Sequence, residues 1–389
     1  MIFIYEDELY KNFLPLVYLR PVFNLYCGRL SLYQKIKRFY HNEKLNLLVR
    51  TLLESYVQEN YTNGTVNNIH KDDSISLFLS ARTILKQKID VVGKEEIFIN
   101  KDNEIIGFRV QNSRIKQIPI NMRTILNWKL PKEQVSAISL KYLWDIIKIN
   151  SQELINDFSG PRNLGKISNR AFILGDIKKL YLGRDAEIEA GAVIDLRQGP
   201  VYIDDNAKIL ALSKIVGPSY IGNNSIIDQA KITGGTAIGA NCRVSGEVES
   251  SIFQGFVNKY HFGFIGHSYI GEWVNLGAGT TNSDLKNNYS TVKVKLGNKE
   301  TDTGLIKVGC FIGDHVKTAI GSMIPTGAII GVFANVLNTA KSVPNFYWSK
   351  GKRWQLEKAI TAAKLMMSRR NITLDKSYET LIRKIYQSK

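Results

Sequence analysis

Aliphatic residues recur every six positions through the second half of this 389-residue chain. An α-helix repeats its apolar face every 3.6 residues and a half-buried strand every 2, so a six-residue period fits neither. It fits a prism in which each face is a short strand with one inward aliphatic side chain and each corner is a glycine or Asx turn. The repeat is carried by Ile203, Ile209, Ile215, Ile221 and Ile227, then after a one-residue slip by Ile232, Ile238 and Val244, and it extends through Leu182, Ile188, Ile270, Leu276, Ile324, Ile330 and Val336.

Three hexads make one coil of such a prism, so residues 172–338 predict about nine coils of a parallel β-helix. Two stretches interrupt the hexads, residues 250–264 and residues 281–305, and we expect both to be insertions. Insertions into a solenoid fall at its corners, where a site can be built without disturbing the core.

The rest of the chain predicts three further parts. Residues 1–160 alternate short apolar strands with helical stretches, which indicates an α/β domain. Residues 161–171 contain proline and glycine and are expected to be a linker. Residues 339–389 become helical, and we interpret them as a cap over the last coil.

Composition excludes several classes of protein. Hydrophobic residues make up 44% of the chain and charged residues 22%, which is typical of globular proteins. The sequence predicts no membrane span and no signal peptide, and three scattered cysteines indicate neither a disulfide framework nor a zinc site, so the expected compartment is the cytoplasm. The net charge is +17, but the lysines are scattered and no nucleic-acid-binding motif is present, so we predict no nucleic-acid partner.

One stretch of the β-helix carries a motif beyond the hexads, GEVESSIFQGFVNKYHFGFIGHSYIGEWVNLGAGTTNSDLKNN. It resembles the acyltransferase half of bifunctional sugar-1-phosphate nucleotidylyltransferase/acetyltransferases, especially their short branch. The segments LPLVYLRPV, LWDIIKINSQELINDF and VPNFYW extend the resemblance over nearly the whole chain. The family implies an α/β nucleotidylyltransferase-like N-terminal domain, a left-handed parallel β-helix with a C-terminal helical cap, and assembly as a homotrimer.

The resemblance assigns roles within this motif. His261 aligns with the base that deprotonates the amine of an amino sugar phosphate for attack on acetyl-CoA, and an imidazole is a suitable base near neutral pH. Asn275 aligns with an asparagine beside the reacting centre. Gly277, Ala278 and Gly279 align with the wall along which CoA lies.

Several positions depart from the family pattern. Glu249 stands where the family has a lysine that meets the sugar phosphate, and Phe264 replaces a tyrosine. Arg243 and Lys259 are nearby cations that could supply the missing positive charge. The predicted substrate-binding set is Arg243, Glu249, Asn258, Lys259 and Phe264, and Asp284 in the second insertion is a further predicted cofactor-binding residue.

The other histidines of this region are expected to be structural. His267 replaces a family aspartate in a turn, and His315 lies in a later coil. No carboxylate joins these histidines at a sequence spacing typical of metal ligands, so we predict no metal site in the β-helix.

The N-terminal domain lacks the glycine-rich loop that cradles a triphosphate in nucleotidylyltransferases. The short branch has a reduced loop, and the resemblance then implies Lys11, Arg20 and Arg82 as nucleotide-binding residues. Asn150 aligns with a residue near Mg²⁺, which would be needed only if this domain is active, and no Asp-rich motif for Mg²⁺ is present.

Three functions stay open at this point. The one we expect is acetyl-CoA-dependent N-acetylation of an amino sugar phosphate by the β-helix, with Arg369 and Arg370 of the tail near the phosphates of CoA. The second is sugar-1-phosphate nucleotidylyl transfer from UTP or dTTP by the N-terminal domain, with the β-helix as a trimer scaffold. The third is a binding or assembly module without catalysis.

Overall fold

A computed structural model describes residues 1–61, 64–339 and 341–388. Its N-terminal part is an α/β domain, as predicted, built on a six-stranded sheet in which Ile105–Gln111 runs antiparallel to both neighbours. The strands lie in the order Leu45–Leu48, Ile2–Tyr5, Ile75–Ser80, Ile105–Gln111, Glu96–Ile99 and Lys132–Gln134. Two small ladders join Tyr26–Cys27 to Leu30–Ser31 and Thr83–Leu85 to Ala137–Ser139, and the helices are α1 (Leu32–Lys37), α2 (Glu54–Asn60), α3 (Met122–Asn127) and α4 (Leu143–Asn156).

The second part is a parallel β-helix, which confirms the prediction from the hexads. Ile203, Ile221 and Ile238 are register neighbours in successive coils, and all three are fully buried. Ten strands stack in the first face: Arg162–Asn163, Leu180–Leu182, Val201–Ile203, Ser219–Ile221, Thr236–Ile238, Ile252–Phe253, Tyr269–Ile270, Cys310–Ile312, Ala328–Ile330 and Ser342–Val343.

The two other faces follow the first in each coil. The second face contains Lys166–Ile167, Glu187–Ile188, Lys208–Ile209, Asn258–Lys259, Lys317–Thr318 and Asn335–Val336. The third face contains Phe172–Leu174, Val193–Asp195, Lys214–Val216, Phe264–Gly266, Thr281–Asn282 and Met323–Ile324. Two longer strands, Ile226–Ile232 and Arg243–Glu249, pass through the corner and belong to both faces.

Two predicted boundaries differ from the structure. Residues 161–171 are not a linker, because Arg162–Asn163 and Lys166–Ile167 already pair with the next coil. Residues 250–264 are not an insertion but an ordinary coil whose strands pair with both neighbours. The second interruption is an insertion, as predicted: the antiparallel hairpin of Lys293–Leu296 and Lys299–Asp302 lies there.

The first face of the β-helix is covered by the N-terminal domain. Seven of its ten strands carry an apolar residue directly before the inward apolar residue, and this residue points out of the prism and belongs to the same apolar cluster as the core of the N-terminal domain. The outward residues are Tyr181, Tyr202, Tyr220, Ala237, Ile252, Tyr269 and Phe311. The backbone N–H of Tyr26 donates to the Tyr269 hydroxyl at 2.8 Å, so hydrogen bonds as well as apolar burial hold the two domains together.

A buried arginine joins the same two domains. Arg20, only 3% exposed, places its guanidinium 2.6 Å from Asp314 and 3.1 Å from Glu272, which both belong to the β-helix. Asp314 is fully buried. A buried carboxylate is costly unless it is paired and hydrogen-bonded. Asp314 therefore needs the guanidinium of Arg20, which reaches it only when the two domains are docked.

The C-terminal residues form α5 (Leu356–Ser368) and α6 (Lys376–Gln387), after a small ladder of Tyr347–Ser349 with Lys352–Arg353. The helices are predicted as a cap over the last coil, but they also contact the N-terminal domain. Tyr378 of α6 lies 3.0 Å from His315 Nε2 of the β-helix and packs against the ring of Tyr56 in α2. No helix in the described residues is long and apolar enough to cross a membrane.

Two lysines on the second face are shielded from solvent, Lys259 fully and Lys317 partly. Lys259 is 2% exposed and donates to the carbonyls of Ser245 at 2.6 Å and His261 at 3.1 Å. Lys317 lies with its ammonium 5.1 Å from the centre of the Trp354 ring. Burial disfavours the charged form and lowers the pKa of each lysine to about 8.

Replacing Arg20 by Met is expected to lower the free energy of unfolding by about 3–5 kcal/mol, because Asp314 is then left buried without its cation. Chemical denaturation at neutral pH measures the loss. Arg197→Met is the matched control, since the pair of Arg197 with Asp195 is solvent-exposed on the arginine side and is worth at most about 1 kcal/mol. Equal losses in the two variants would contradict the assigned role of Arg20.

Replacing Lys259 by Met is expected to remove a contribution to stability that rises with pH between pH 8 and 10.5. In that window the unfolded lysine binds a proton that the folded lysine has lost, so each such lysine adds up to about 1.4 kcal/mol of stability per pH unit. The three buried cysteines act in the opposite sense because burial raises the pKa of each thiol, so the variant is compared with wild type at every pH. The variant keeps the contribution of Lys317. Denaturation curves measured across this pH range test the prediction, and the substitution of the exposed Lys214 by Met is the control. If stability changed with pH as steeply in the Lys259 variant as in wild type, burial of Lys259 would not be the cause.

Candidate functional site

The predicted site residues of the β-helix fall into two groups on adjacent faces. His261 is exposed and lies at the corner between them, after Asn258–Lys259 of the second face and before Phe264–Gly266 of the third. The Lys259 ammonium holds the His261 carbonyl from inside the prism. Lys259 therefore fixes the backbone of the predicted base, and it does not present its charge to a substrate as the sequence analysis expects.

The residues of the first group line a cavity of about 340 Å³ on the second face. It is lined by Arg243, Asn258 and Asn275, which occupy one column of three successive coils. Asn258 Nδ2 donates to Asn275 Oδ1 at 2.9 Å. Within the described ranges, this bond uses the oxygen of Asn275 and leaves its amide nitrogen without a protein acceptor. The cavity thus has a hydrogen-bond donor next to a cation.

Aromatic and basic residues complete the walls of this cavity. Phe256 and Trp273 stack with ring centroids 4.0 Å apart and 14° between planes. Met366, Arg369 and Arg370, at the end of α5, also line the cavity. The sequence indicates the two arginines through the basic tail, but it gives no sign that Phe256 and Trp273, one coil apart, form a stacked pair.

The second group lies on the third face and is an ion-pair network. His267 Nδ1 is 2.7 Å from Asp284 Oδ2, and Glu249 Oε1 is 3.2 Å from the Lys307 ammonium. Glu249, His267 and Asp284 offer ligand atoms within 4.8 Å of one another, so carboxylates do join a histidine in space, although their sequence spacing gives no such sign. Burial favours the neutral form of Asp284, but its hydrogen bond and charge interaction with His267 outweigh this and lower its pKa.

Three predicted residues, Glu249, Phe264 and Asp284, lie on this third face and do not line the cavity. Lys307 and His267 engage Glu249 and Asp284, and the ring of Phe264 lies against the backbone of Gly266. A role for Asp284 in CoA binding, or for Glu249 and Phe264 in substrate binding, remains a prediction.

The glycines of the GAG corner have structural reasons of their own. A Cβ on Gly277 would stand 2.7 Å from the carbonyl carbon of Ala319 in the next coil, which is closer than atoms can approach. Gly279 has a φ of +72°, which favours glycine. The Ala278 carbonyl accepts from Gly321 N–H at 2.8 Å. Coil stacking alone explains small residues here, and the CoA wall remains a prediction.

The nucleotide-binding residues predicted in the N-terminal domain do not converge. Arg82 is buried with its Nε 2.8 Å from Asp7, and Arg20 is held in the domain interface. Lys11 is exposed at a different cavity, of about 590 Å³, shared with residues 342–353. Ligands of α/β sheets bind at the carboxyl ends of the parallel strands. Here Asp7 with Arg82, and Glu6 with Arg50, fill that edge with internal pairs.

The residue predicted near Mg²⁺ does not fit a metal site. Asn150 is fully buried, its Oδ1 accepts from the Gly28 N–H at 2.6 Å, and its Nδ2 donates to the Gly235 carbonyl at 2.8 Å. Asp157, which caps the same helix, pairs with Lys35 at 2.8 Å and with Arg38. Magnesium needs oxygen ligands that are free to coordinate it. The structure therefore corrects the prediction for Asn150, which links the two domains.

Comparisons with known proteins agree with this division. Residues 2–162 match the family model described as "Sugar nucleotidyl transferase". A bifunctional sugar-1-phosphate nucleotidylyltransferase/acetyltransferase of Sulfurisphaera tokodaii is 34% identical over 50% of this chain and 43% of its own length. A Bifunctional protein GlmU of Ruthia magnifica is 29% identical over 41% of this chain and 36% of its own. The chain thus spans less than half the length of these curated relatives.

Solved structures give a weaker likeness. The UDP-N-acetylglucosamine acyltransferase of Francisella novicida matches 58% of this chain and 89% of its own, with 16% identity and a TM-score of 0.20. The UDP-N-acetylglucosamine acyltransferase of Campylobacter jejuni matches 58% of this chain and 97% of its own, with 14% identity and a TM-score of 0.21. At these scores the likeness carries no argument, and the β-helix rests on the strand pairings described above.

The family model and the motif residues point the same way. The chain is thus similar to sugar nucleotidyl transferases through residues 2–162, and it is similar to the bifunctional sugar-1-phosphate nucleotidylyltransferase/acetyltransferases, as its motifs predict.

Proposed function

We propose that the chain is an acetyltransferase whose β-helix moves an acetyl group from acetyl-CoA to the amine of an amino sugar phosphate. One observation carries this proposal. Arg243, Asn258 and Asn275, all predicted from the sequence as substrate-binding or reaction-centre residues, line a single cavity, and His261 lies on the corner that follows Asn258. The similarity to named nucleotidylyltransferase/acetyltransferases supports the same reaction class.

In the proposed reaction the amine nitrogen attacks the thioester carbonyl carbon and forms the amide bond. The carbon–sulfur bond breaks, and CoA leaves as the thiol. His261 takes the proton that the amine loses and returns it to the leaving sulfur. The free amide nitrogen of Asn275 donates to the oxygen that becomes negative in the tetrahedral intermediate.

For the N-terminal domain we propose a docking role without nucleotidylyl transfer. Its family match favours that activity as the alternative. The internal pairs of Asp7 with Arg82 and Glu6 with Arg50 argue against it, because a triphosphate would have to displace them.

We further propose that the active form is a homotrimer, as the family resemblance implies. The corner that follows His261 carries large apolar side chains in water: Phe262 is 73% exposed, Ile320 82% and Met323 67%. Phe262 and Ile320 lie at the same corner of nearby coils, since Gly279 N–H donates to Phe262 and Gly321 N–H to Ala278. Burial against a second copy would remove this surface from water.

His261→Ala is expected to lower the rate of acetyl transfer from acetyl-CoA to glucosamine 1-phosphate by about 10²–10⁴-fold, because a positioned base is lost. Release of free thiol measures the reaction. The exposed His70→Ala is the control and keeps the wild-type rate. Pyrophosphate release from UTP or dTTP with sugar 1-phosphates is measured in the same preparation. Unchanged thiol release in His261→Ala overturns the assigned base, and pyrophosphate release supports the alternative.

The double variant Phe262→Glu/Ile320→Glu is expected to be monomeric, because two charges would then enter the apolar contact between copies. Light scattering coupled to size exclusion measures the mass of variant and wild type. Leu212→Glu, an exposed leucine several coils away, is the matched control and stays trimeric. A monomeric wild type, or a trimeric double variant, would contradict this arrangement.

A further inference from the structure

We propose that Arg243, Arg369 and Arg370 form a binding site for a phosphate monoester in the cavity of the second face. The inference rests on the proposed function only for the two ligands considered, acetyl-CoA and a sugar phosphate. The binding chemistry itself follows from the charges that line the cavity.

The three arginines come from distant parts of the chain. Arg243 lies on the second face of the β-helix, and Arg369 and Arg370 follow directly after α5. The chain turns there through Asn371, at a φ of 56°, and the Ile372 N–H donates back to the Met367 carbonyl at 3.1 Å. This turn ends the helix in a closed form typical of helix C-termini, so the two arginines have a defined place at the cavity.

The charge in this cavity is uncompensated. The pKa of Arg370 is lowered by its partial burial and by the positive charges of Arg243 and Arg369. In the part of the chain that the structure describes, these three arginines take part in no ion pair. The buried arginines elsewhere do: Arg20 pairs with Asp314, Arg82 with Asp7 and Arg109 with Glu96.

The helix end cannot supply the missing negative charge. The carbonyl end of a helix carries the equivalent of roughly half a negative charge, whereas three guanidinium groups carry three positive ones. Like charges in a partly desolvated cavity repel, and an anion bound among them removes the repulsion. The cavity is therefore arranged for a ligand with more than one negative charge.

A phosphate monoester fits this arrangement better than a carboxylate. It carries about −1.5 to −2 at neutral pH and has three strong acceptor oxygens, which match the planar forks of arginine. The amide groups of Asn258 and Asn275 add uncharged polar contacts in the same cavity. A cavity of about 340 Å³ holds a small ligand or one end of a larger one.

The charges of the adjacent third face differ from those of the cavity. On the third face, Lys307 is paired with Glu249 and His267 with Asp284, so these cations are already engaged. Among the described residues, the three arginines of the cavity have no such carboxylate partner. The phosphate that they bind belongs either to the sugar or to the ribose of CoA, and the two sources share this chemistry.

Isothermal titration of the full chain with four ligands tests the site: CoA, 3′-dephospho-CoA, glucosamine 1-phosphate and glucosamine. Wild type is expected to bind the phosphorylated member of one pair at least tenfold more tightly than its partner. In Arg369→Ala/Arg370→Ala that preference is expected to shrink by about tenfold or more, toward equal affinity for the two members of the pair, because one or two charge-assisted contacts are lost. The pair whose difference shrinks identifies the source of the phosphate.

Two variants serve as controls. Arg170→Ala removes an exposed arginine of the first coil and keeps wild-type binding, and Arg369→Lys/Arg370→Lys keeps the charge and retains part of the preference. If both ligand pairs bind to wild type and to the alanine variant with the same ratios, the site is overturned. The rate of acetyl transfer is measured in parallel. Phosphate-dependent binding without acetyl transfer would support this site and contradict the proposed function. An acetyl-transfer rate and a phosphate preference that are both unchanged by the alanine substitutions would contradict the site alone.

Discussion

The parallel pairing of successive coils decides which residues of this chain can meet. Most coils place one aliphatic side chain inside the prism on each face, and the next coil repeats the position in register; Lys259 occupies one such inward position beside Val244. Columns of side chains therefore run along the outside of each face. Arg243, Asn258 and Asn275 form such a column, and so they share a cavity although no two of them are neighbours in sequence.

The sequence predicts this framework well because its cause is local. The hexads of Ile203 to Ile227 require only that each face bury one side chain, and the structure buries them all. The hexads give a wrong prediction at residues 250–264. A change in coil length shifts the six-residue spacing in the sequence, although the strands of this coil still pair in register with both neighbouring coils. The sequence also contains a sign of domain docking: an aromatic residue stands directly before the inward aliphatic residue in every third hexad, at Tyr181, Tyr202 and Tyr220. Two successive apolar residues in a strand place one inside the prism and one outside, so they predict that another part of the protein covers this face.

The candidate site is only partly predictable, because its composition depends on contacts between distant residues. The motif gives Asn275 and His261, but whether Lys259 faces a substrate or the core is decided by the carbonyls of Ser245 and His261 inside the prism. Arg20 and Arg82 look like ligands in a sequence and are ion-paired supports in the structure. Long cationic side chains serve either purpose, and only the position of the opposite charge distinguishes them.

The contact of α6 with both domains has a consequence for the cavity. Tyr378 in α6 touches α2 and His315, while α5, which packs on α6, ends in the two arginines of the cavity wall. A ligand bound at the proposed phosphate site would contact a wall whose position depends on the packing of α5 against α6. Linkage is reciprocal, so if loosening the domain interface weakens that binding, the bound ligand strengthens the interface by the same free energy. The N-terminal domain would in this way contribute to binding at a cavity whose walls come from the β-helix and α5.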